Sequence, residues 1–211
     1  NPESNRVSFF QKAWLRCQGQ SPARVVSWLG FLKDQESLRV ALREAEGDGG
    51  VWLRIESTGK NADVERELIA LGADDPALGA AEQIDVDGAR ALDEDVGRIR
   101  YLRQRHLGFL KALARVEAVL SEHPVKVMSP PSAIALMFDK PRCHARCEEA
   151  GVPVPKALSP PVSYPALRET MKSAGLGRVF VKPAHSSSAS GVVALATQGE
   201  KGAVALVAFD N

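Results

Sequence analysis

Five short runs rich in β-branched residues punctuate this chain: RVVSW at Arg24–Trp28, VWLRI at Val51–Ile55, VKVM at Val125–Met128, RVFVK at Arg178–Lys182 and GVVALA at Gly191–Ala196. Between most of them lie segments of helical periodicity. Strands that alternate with helices predict an open α/β sheet with crossover helices. The chain starts on a loop, Asn1–Ser4, that leads straight into a helix. Such a sheet normally has its first strand there, so that strand is expected ahead of Asn1.

The helices follow from spacing and punctuation. Phe9, Phe10, Ala13, Trp14 and Cys17 recur at helical intervals until Gly19. Helices are also predicted at Glu36–Ala45 and at Asp63–Leu71, the latter closed by Gly72. Leu102, His106, Phe109, Leu110, Leu113, Val116 and Leu120 form one stripe of a helix over 102–121, which ends before His123-Pro124. Ser132–Phe138, Pro141 to Gly151 and Ser163–Ala174 complete the set, the second with Pro in its first turn and Gly just past its end. Residues 73–97, rich in Asp, Gly and Ala, show no clear period. A last strand at Ala203–Phe209 follows the turn Gly199–Gly202 and forms a hairpin with Gly191–Ala196. The domain boundary is expected near 124, dividing the chain into 1–124 and 125–211.

Composition excludes several classes of function. Hydrophobic residues at 45% and charged residues at 25% describe an ordinary globular chain that can bury a core. Twenty-seven Lys and Arg against 26 Asp and Glu leave a net charge of +1, no reason to favour nucleic acid or an anionic membrane. No apolar run approaches a membrane span, and no basic-then-apolar signal opens the chain. The cysteines are Cys17, Cys143 and Cys147, an odd count that predicts reduced thiols and a cytoplasmic location. A homodimer stays open, since nothing here sets the oligomeric state.

The run Arg178–Thr197 carries the chemistry. Alternation puts Val179 and Val181 on one face of the strand and Phe180 with Lys182 on the other. An ammonium at the end of a half-buried strand needs water or an anion. Pro183 has no N–H, so the ladder frays there. Ser186, Ser187, Ser188 and Ser190, with Ala189 among them, offer backbone N–H groups and hydroxyls to an anion, and Gly191 permits a tight return. These pieces fit a phosphate cover; a plain hairpin loop with an exposed lysine fits them too.

Lys140 separates the two. It stands at a helix start in DKPRCHARCEEAGVPVP, after Asp139 and about forty residues before Lys182. Asp139-Lys140, Ala150-Gly151-Val152-Pro153-Val154-Pro155, Lys182-Pro183-Ala184 and Gly191-Val192 together resemble the ATP-grasp superfamily, with the Lys182–Val192 register of D-alanine–D-alanine ligases. The resemblance covers about Val125–Asn211. It implies the first part of an ATP-grasp module preceded by an open α/β pre-ATP-grasp domain. It further implies that Lys140 and Lys182 contact ATP phosphates from two sides, under a loop made of Ser186, Ser187, Ser188, Ala189, Ser190 and Gly191. The segments NPES-NR, RIESTG and HLGFLKAL resemble a bacterial ATP-grasp group of unassigned substrate.

The implied activity is ATP-dependent ligation, in which a small-molecule carboxylate becomes an acyl phosphate and is captured by an amine or thiol. The alternative is a nucleotide-binding or scaffold protein without turnover. The substrate, the acceptor and the catalytic residues are not identified. Two departures from the family stand out. Ser186, Ser187 and Ser190 replace glycines that many members carry. After Lys182 the carboxylates are only Glu200 and Asp210, so no metal ligand is expected within the chain and the Mg²⁺ ligands are expected beyond Asn211.

Other candidates have plainer readings beside functional ones. Cys143-His144-x-x-Cys147 could hold a metal, but small buried thiols are the simpler expectation. Asp74-Asp75 and Asp93-Glu94-Asp95 read as solvated charge runs or metal ligands. His185 reads as a phosphate contact or a solvent-facing histidine. Arg54 and Glu56, at the C-terminal end of a strand, read as a substrate edge or an ordinary ion pair. Trp14, Trp28 and Trp52 are expected in the core.

Overall fold

The computed structural model describes residues 2, 4–18, 23–45, 50–59, 61–95, 99–186, 191–197 and 203–208. They form a mixed α/β protein that divides into two compact units. The division falls between Ala135 and Leu136, with Asp95 and Ile99 counted in the second unit. It lies later than the expected boundary at 124, because the strand after Pro124 pairs with the first unit.

The first unit runs α1 (Asn5–Gln18), α2 (Trp28–Lys33), α3 (Glu36–Ala45), β1 (Val51–Leu53), α4 (Ala62–Leu71), α5 (Val86–Arg90), α6 (Leu102–Ser121) and β2 (Val125–Val127). β1 and β2 are parallel, with Val51 opposite Val125 and Leu53 opposite Val127. Val51 and Leu53 turn inward onto Phe31, Leu38, Leu42, Val116 and Val119. Between them Trp52 turns outward, 57% exposed, with the Lys126 ammonium 5.4 Å from its ring. The expectation that all three tryptophans are core is therefore met only in part, by Trp28, which is half-buried and packs against Phe31 and Phe109 at the core edge. Trp14 is 37% exposed.

The expected strand at Arg24–Trp28 is absent among the described residues. Ser27 is extended, but its hydroxyl accepts the Gly30 N–H at 3.0 Å and caps α2, so Trp28 is helical. Asp-rich 73–95 also owes its order to caps. Asp75 accepts from the Ala77 N–H at 2.9 Å to start a 3₁₀ turn at Pro76–Leu78, and Asp85 accepts from the Gly88 N–H at 2.7 Å to start α5.

The crossing of α4 and α6 is tight because glycines face each other there. A methyl group at Gly108 would lie 1.8 Å from the Leu68 carbonyl oxygen, and one at Gly72 would lie 2.0 Å from that of Gln104. Gln104 is fully buried and fully engaged: its Nε2 donates to Ile69 O and Ile84 O, each at 2.8 Å, and its Oε1 accepts from Ile84 N at 2.9 Å.

α7 (Pro131–Phe138) contains the division between the units. The second unit continues with α8 (Lys140–Glu149), α9 (Tyr164–Ser173), β3 (Arg178–Val181), β4 (Val192–Thr197) and β5 (Ala203–Ala208). The three strands form one antiparallel sheet in the order β3-β4-β5, with Phe180 opposite Ala194 and Ala194 opposite Leu206. α9 lays Leu167 and Met171 against Leu195 of β4, with Val179 and Val181 of β3 at the edge of that cluster. Ser163 caps α9 through the Ala166 N–H at 3.3 Å. The predicted β4–β5 hairpin is present; its turn lies outside the described residues. Among the described residues no helix is long and apolar enough to cross a membrane.

Candidate functional site

Lys182 follows β3 directly. The valines at 179 and 181 enter the core, which forces Phe180 and Lys182 to the opposite face, as the alternation predicts. Phe180 is 70% exposed, and the Lys182 ammonium lies 5.6 Å from its ring centre.

Lys140 arrives from α8. Asp139 caps this helix by accepting the Arg142 N–H at 3.1 Å, and Pro141 occupies the first turn without needing a partner for a missing N–H. The backbone N–H of Lys140 donates to Ala184 O at 3.1 Å, which pins the start of the helix to the segment after β3. Its side chain then runs into the same segment. Nζ donates to Pro183 O at 3.0 Å, to Ser186 O at 2.6 Å and to Ser186 Oγ at 2.9 Å. Burial lowers the Lys140 pKa below the ordinary lysine value, and the charge of Lys182 lowers it further.

Gly191 leads directly into β4. Its φ of +69° is left-handed, and a Cβ there would lie 2.9 Å from Ile99 Cδ1 and 3.1 Å from Pro183 Cγ. Ser187, Ser188, Ala189 and Ser190 lie outside the described residues, as do Glu200 and Asp210. His185 is half-buried.

Sequence reasoning missed the acceptors that hold Lys140. Two of the three are main-chain carbonyls, which leave no mark in residue type. The Lys182–Phe180 contact, by contrast, follows from the two-residue period of the strand.

The remaining candidates resolve into structural roles. His144 Nε2 lies 2.8 Å from Pro155 O and Nδ1 lies 3.4 Å from Glu148, so the ring ties α8 to the extended VPVP run. Cys143 and Cys147 are free and half-buried rather than packed in the core. In the first unit, Arg54 pairs with Glu56 and covers the Phe10 ring at 3.8 Å, and Arg6 reaches Glu56 at 3.3 Å. That is a strand-end ion-pair cluster. Asp75 meets Lys111 at 3.1 Å in addition to its capping bond. A hollow of about 400 Å³ in the first unit is lined by Val25, Ser27, Gly30 and Val40 together with Arg24 and Glu44, which pair with each other.

Comparison of the chain with family models, with curated proteins and with solved structures gave no match.

Proposed function

We propose that the second unit binds the phosphate groups of ATP at Lys140 and Lys182, and that the protein is an ATP-dependent ligase of the ATP-grasp kind. It would activate a small-molecule carboxylate as an acyl phosphate and pass the acyl group to an amine or thiol. The observation that carries this assignment is that Lys140 reaches from α8 into the segment that directly follows Lys182, with the charge of Lys182 among the causes that lower the Lys140 pKa. Two neighbouring cations repel each other, and a polyanion between them turns that repulsion into attraction on both sides.

Each element has a defined part. β3 presents Lys182 as a point charge, α8 delivers Lys140 from a second direction, and Gly191, with its left-handed φ, leads into β4. Such groups act on phosphoryl transfer by positioning and by charge stabilisation, with no covalent step of their own. Mg²⁺ bound to the phosphates would add neutralisation of the charge that develops on the transferred group. Asp139 is engaged as the helix cap, so its carboxylate serves the position of Lys140.

The test is the melting temperature of the intact protein with and without Mg-ATP. Saturation at a hundredfold excess over Kd stabilises the binding state by about 2.7 kcal/mol. For a chain of this size that corresponds to a rise of roughly 5–10 °C. The rise should be lost in Lys182→Ala. An equal rise in wild type and variant, or none in either, removes the assignment. A rise without release of ADP in the presence of candidate carboxylates and amines would select the non-catalytic nucleotide binder.

A further inference from the structure

The Lys140 ammonium has three N–H donors, and in this structure each has a protein acceptor within the short segment 183–186. Its own backbone N–H is given to Ala184 O, in the middle of that segment. Four hydrogen bonds from one residue therefore converge on a four-residue stretch that Pro183 has released from the sheet ladder. This stretch forms no helix or strand, so Lys140 supplies order that secondary structure does not.

We propose that Lys140 is a positioning residue: its ammonium tethers the segment after β3, and an anion must displace this tether before it can take Lys140 as a ligand. The displacement half rests on the phosphate assignment above; the tether half does not. The chemistry follows from donor counting. An ammonium with three filled donor positions cannot add a phosphate oxygen without giving up an acceptor, and the acceptors given up belong to the loop that borders Lys182. The positive charge of Lys182 disfavours the charged form of Lys140 that makes these bonds. An anion beside Lys182 offsets that charge while it competes for the donors, so binding and release of the segment are coupled through one side chain. Lys182, whose ammonium faces Phe180, has the simpler role of receiving the anion first.

The experiment is NMR on the intact chain labelled with ¹⁵N, including the lysine ammonium groups. In wild type the amides of Ala184, His185 and Ser186 should be ordered, with S² near about 0.8, and Lys140→Met should bring them below about 0.6. Ser186→Ala, which removes one acceptor and keeps the lysine, should give an intermediate loss. Lys182→Met should cause none. Inorganic tripolyphosphate, used as the probe, should shift the Lys140 ammonium signal with the same midpoint as its binding isotherm. Unchanged order in both Lys140→Met and Ser186→Ala overturns the tether. Binding that leaves the Lys140 ammonium signal unmoved overturns the displacement while sparing the phosphate assignment. Absence of any binding overturns the displacement and the phosphate assignment together, and leaves the tether to be judged by the variants.

Discussion

Replacement of Gly108 by Ala sets two effects of opposite sign against each other. Inside a helix, Ala is favoured over Gly by about 1 kcal/mol, so an isolated α6 would gain. At this site, however, the new methyl would stand 1.8 Å from Leu68 O, 2.8 Å from its carbonyl carbon and 2.9 Å from Gly72 N, where real Cβ contacts begin at 3.0 Å. All three obstacles are backbone, so no side chain can swing away. The helices must part by about 1.2 Å, the difference between 3.0 and 1.8 Å. An opening of that size takes Gln104 Nε2 from 2.8 Å towards 4 Å from Ile69 O, beyond hydrogen bonding. Overpacking of this kind costs about 1–3 kcal/mol, and a buried polar group left without its partner costs about 1–3 more. After the helix-propensity gain, a net loss of roughly 1–5 kcal/mol remains. The three tryptophans, at 14, 28 and 52, all lie in the first unit, so intrinsic fluorescence reports its unfolding. The thermal midpoint should fall by about 2–20 °C. Gly72→Ala should act alike, and the double variant should cost less than the sum, because one opening admits both methyls. A Gly108→Ala midpoint equal to or above wild type would refute the close crossing, since propensity alone would then decide the sign.

Two further outcomes are expected. The Glu122 carboxyl is held below its ordinary pKa first by its hydrogen bonds from Arg39, and Asp75 first by the Ala77 N–H and then by Lys111. Both folded-state values are depressed, so both groups contribute stability above the usual carboxylate range, near about pH 4, and lose it as pH falls through the folded values. The urea midpoint of the first unit should therefore drop on acidification, and Glu122→Gln should flatten part of that slope; an unchanged slope would contradict the Arg39–Glu122 pairing. In the second unit, Lys182→Met should raise the Lys140 pKa towards the ordinary lysine value, read from the ¹³Cε shift of Lys140 during titration, because it removes a neighbouring positive charge and leaves the burial unchanged. A Lys140 titration that does not move would mean the two ammonium groups do not share a neighbourhood.

The parts of the fold legible in sequence are those governed by local periodicity and punctuation. α3 occupies the predicted Glu36–Ala45, and α6 the predicted 102–121, because a sustained apolar stripe and, after α6, the His123-Pro124 stop leave few alternatives. RVVSW failed for a reason of the same local kind: a pair of valines such as Val25-Val26 favours a strand only when the next residue has no better use, and here Ser27 caps a helix instead. The aspartates of 73–95 read as charge, yet two of them work as helix caps, which only the N–H groups they meet reveal. The outward turn of Trp52 depends on which face of β1 the core occupies, and a three-residue strand is too short to show that by alternation. The boundary after Ala135, rather than at 124, is set by the pairing of Val125–Val127 with Val51–Leu53, a contact between distant segments.

At the candidate site the division between legible and hidden runs through a single residue. Lys182 could be placed from its own strand: the valines take the core, and the lysine must face the other way. Lys140 could be singled out only by its type and its distance from Lys182, and these properties say nothing about what its ammonium touches. Its partners are two carbonyls and one hydroxyl supplied by a proline and a serine more than forty residues later. Any residue in place of Ser186 would present the same carbonyl, so substitution patterns at 186 would report only the hydroxyl, a third of the arrangement. The physical consequence is a difference in kind between two lysines that look equivalent in sequence. For Lys182 an incoming anion meets a cation beside an exposed aromatic ring. For Lys140 it meets a cation already bonded three times, and if phosphate binds there as proposed, its free energy would be the difference between phosphate and protein acceptors rather than the full strength of a charge-assisted hydrogen bond. Loss of Lys182 should therefore weaken anion binding more than loss of Lys140, although both would be drawn as phosphate ligands from residue type alone.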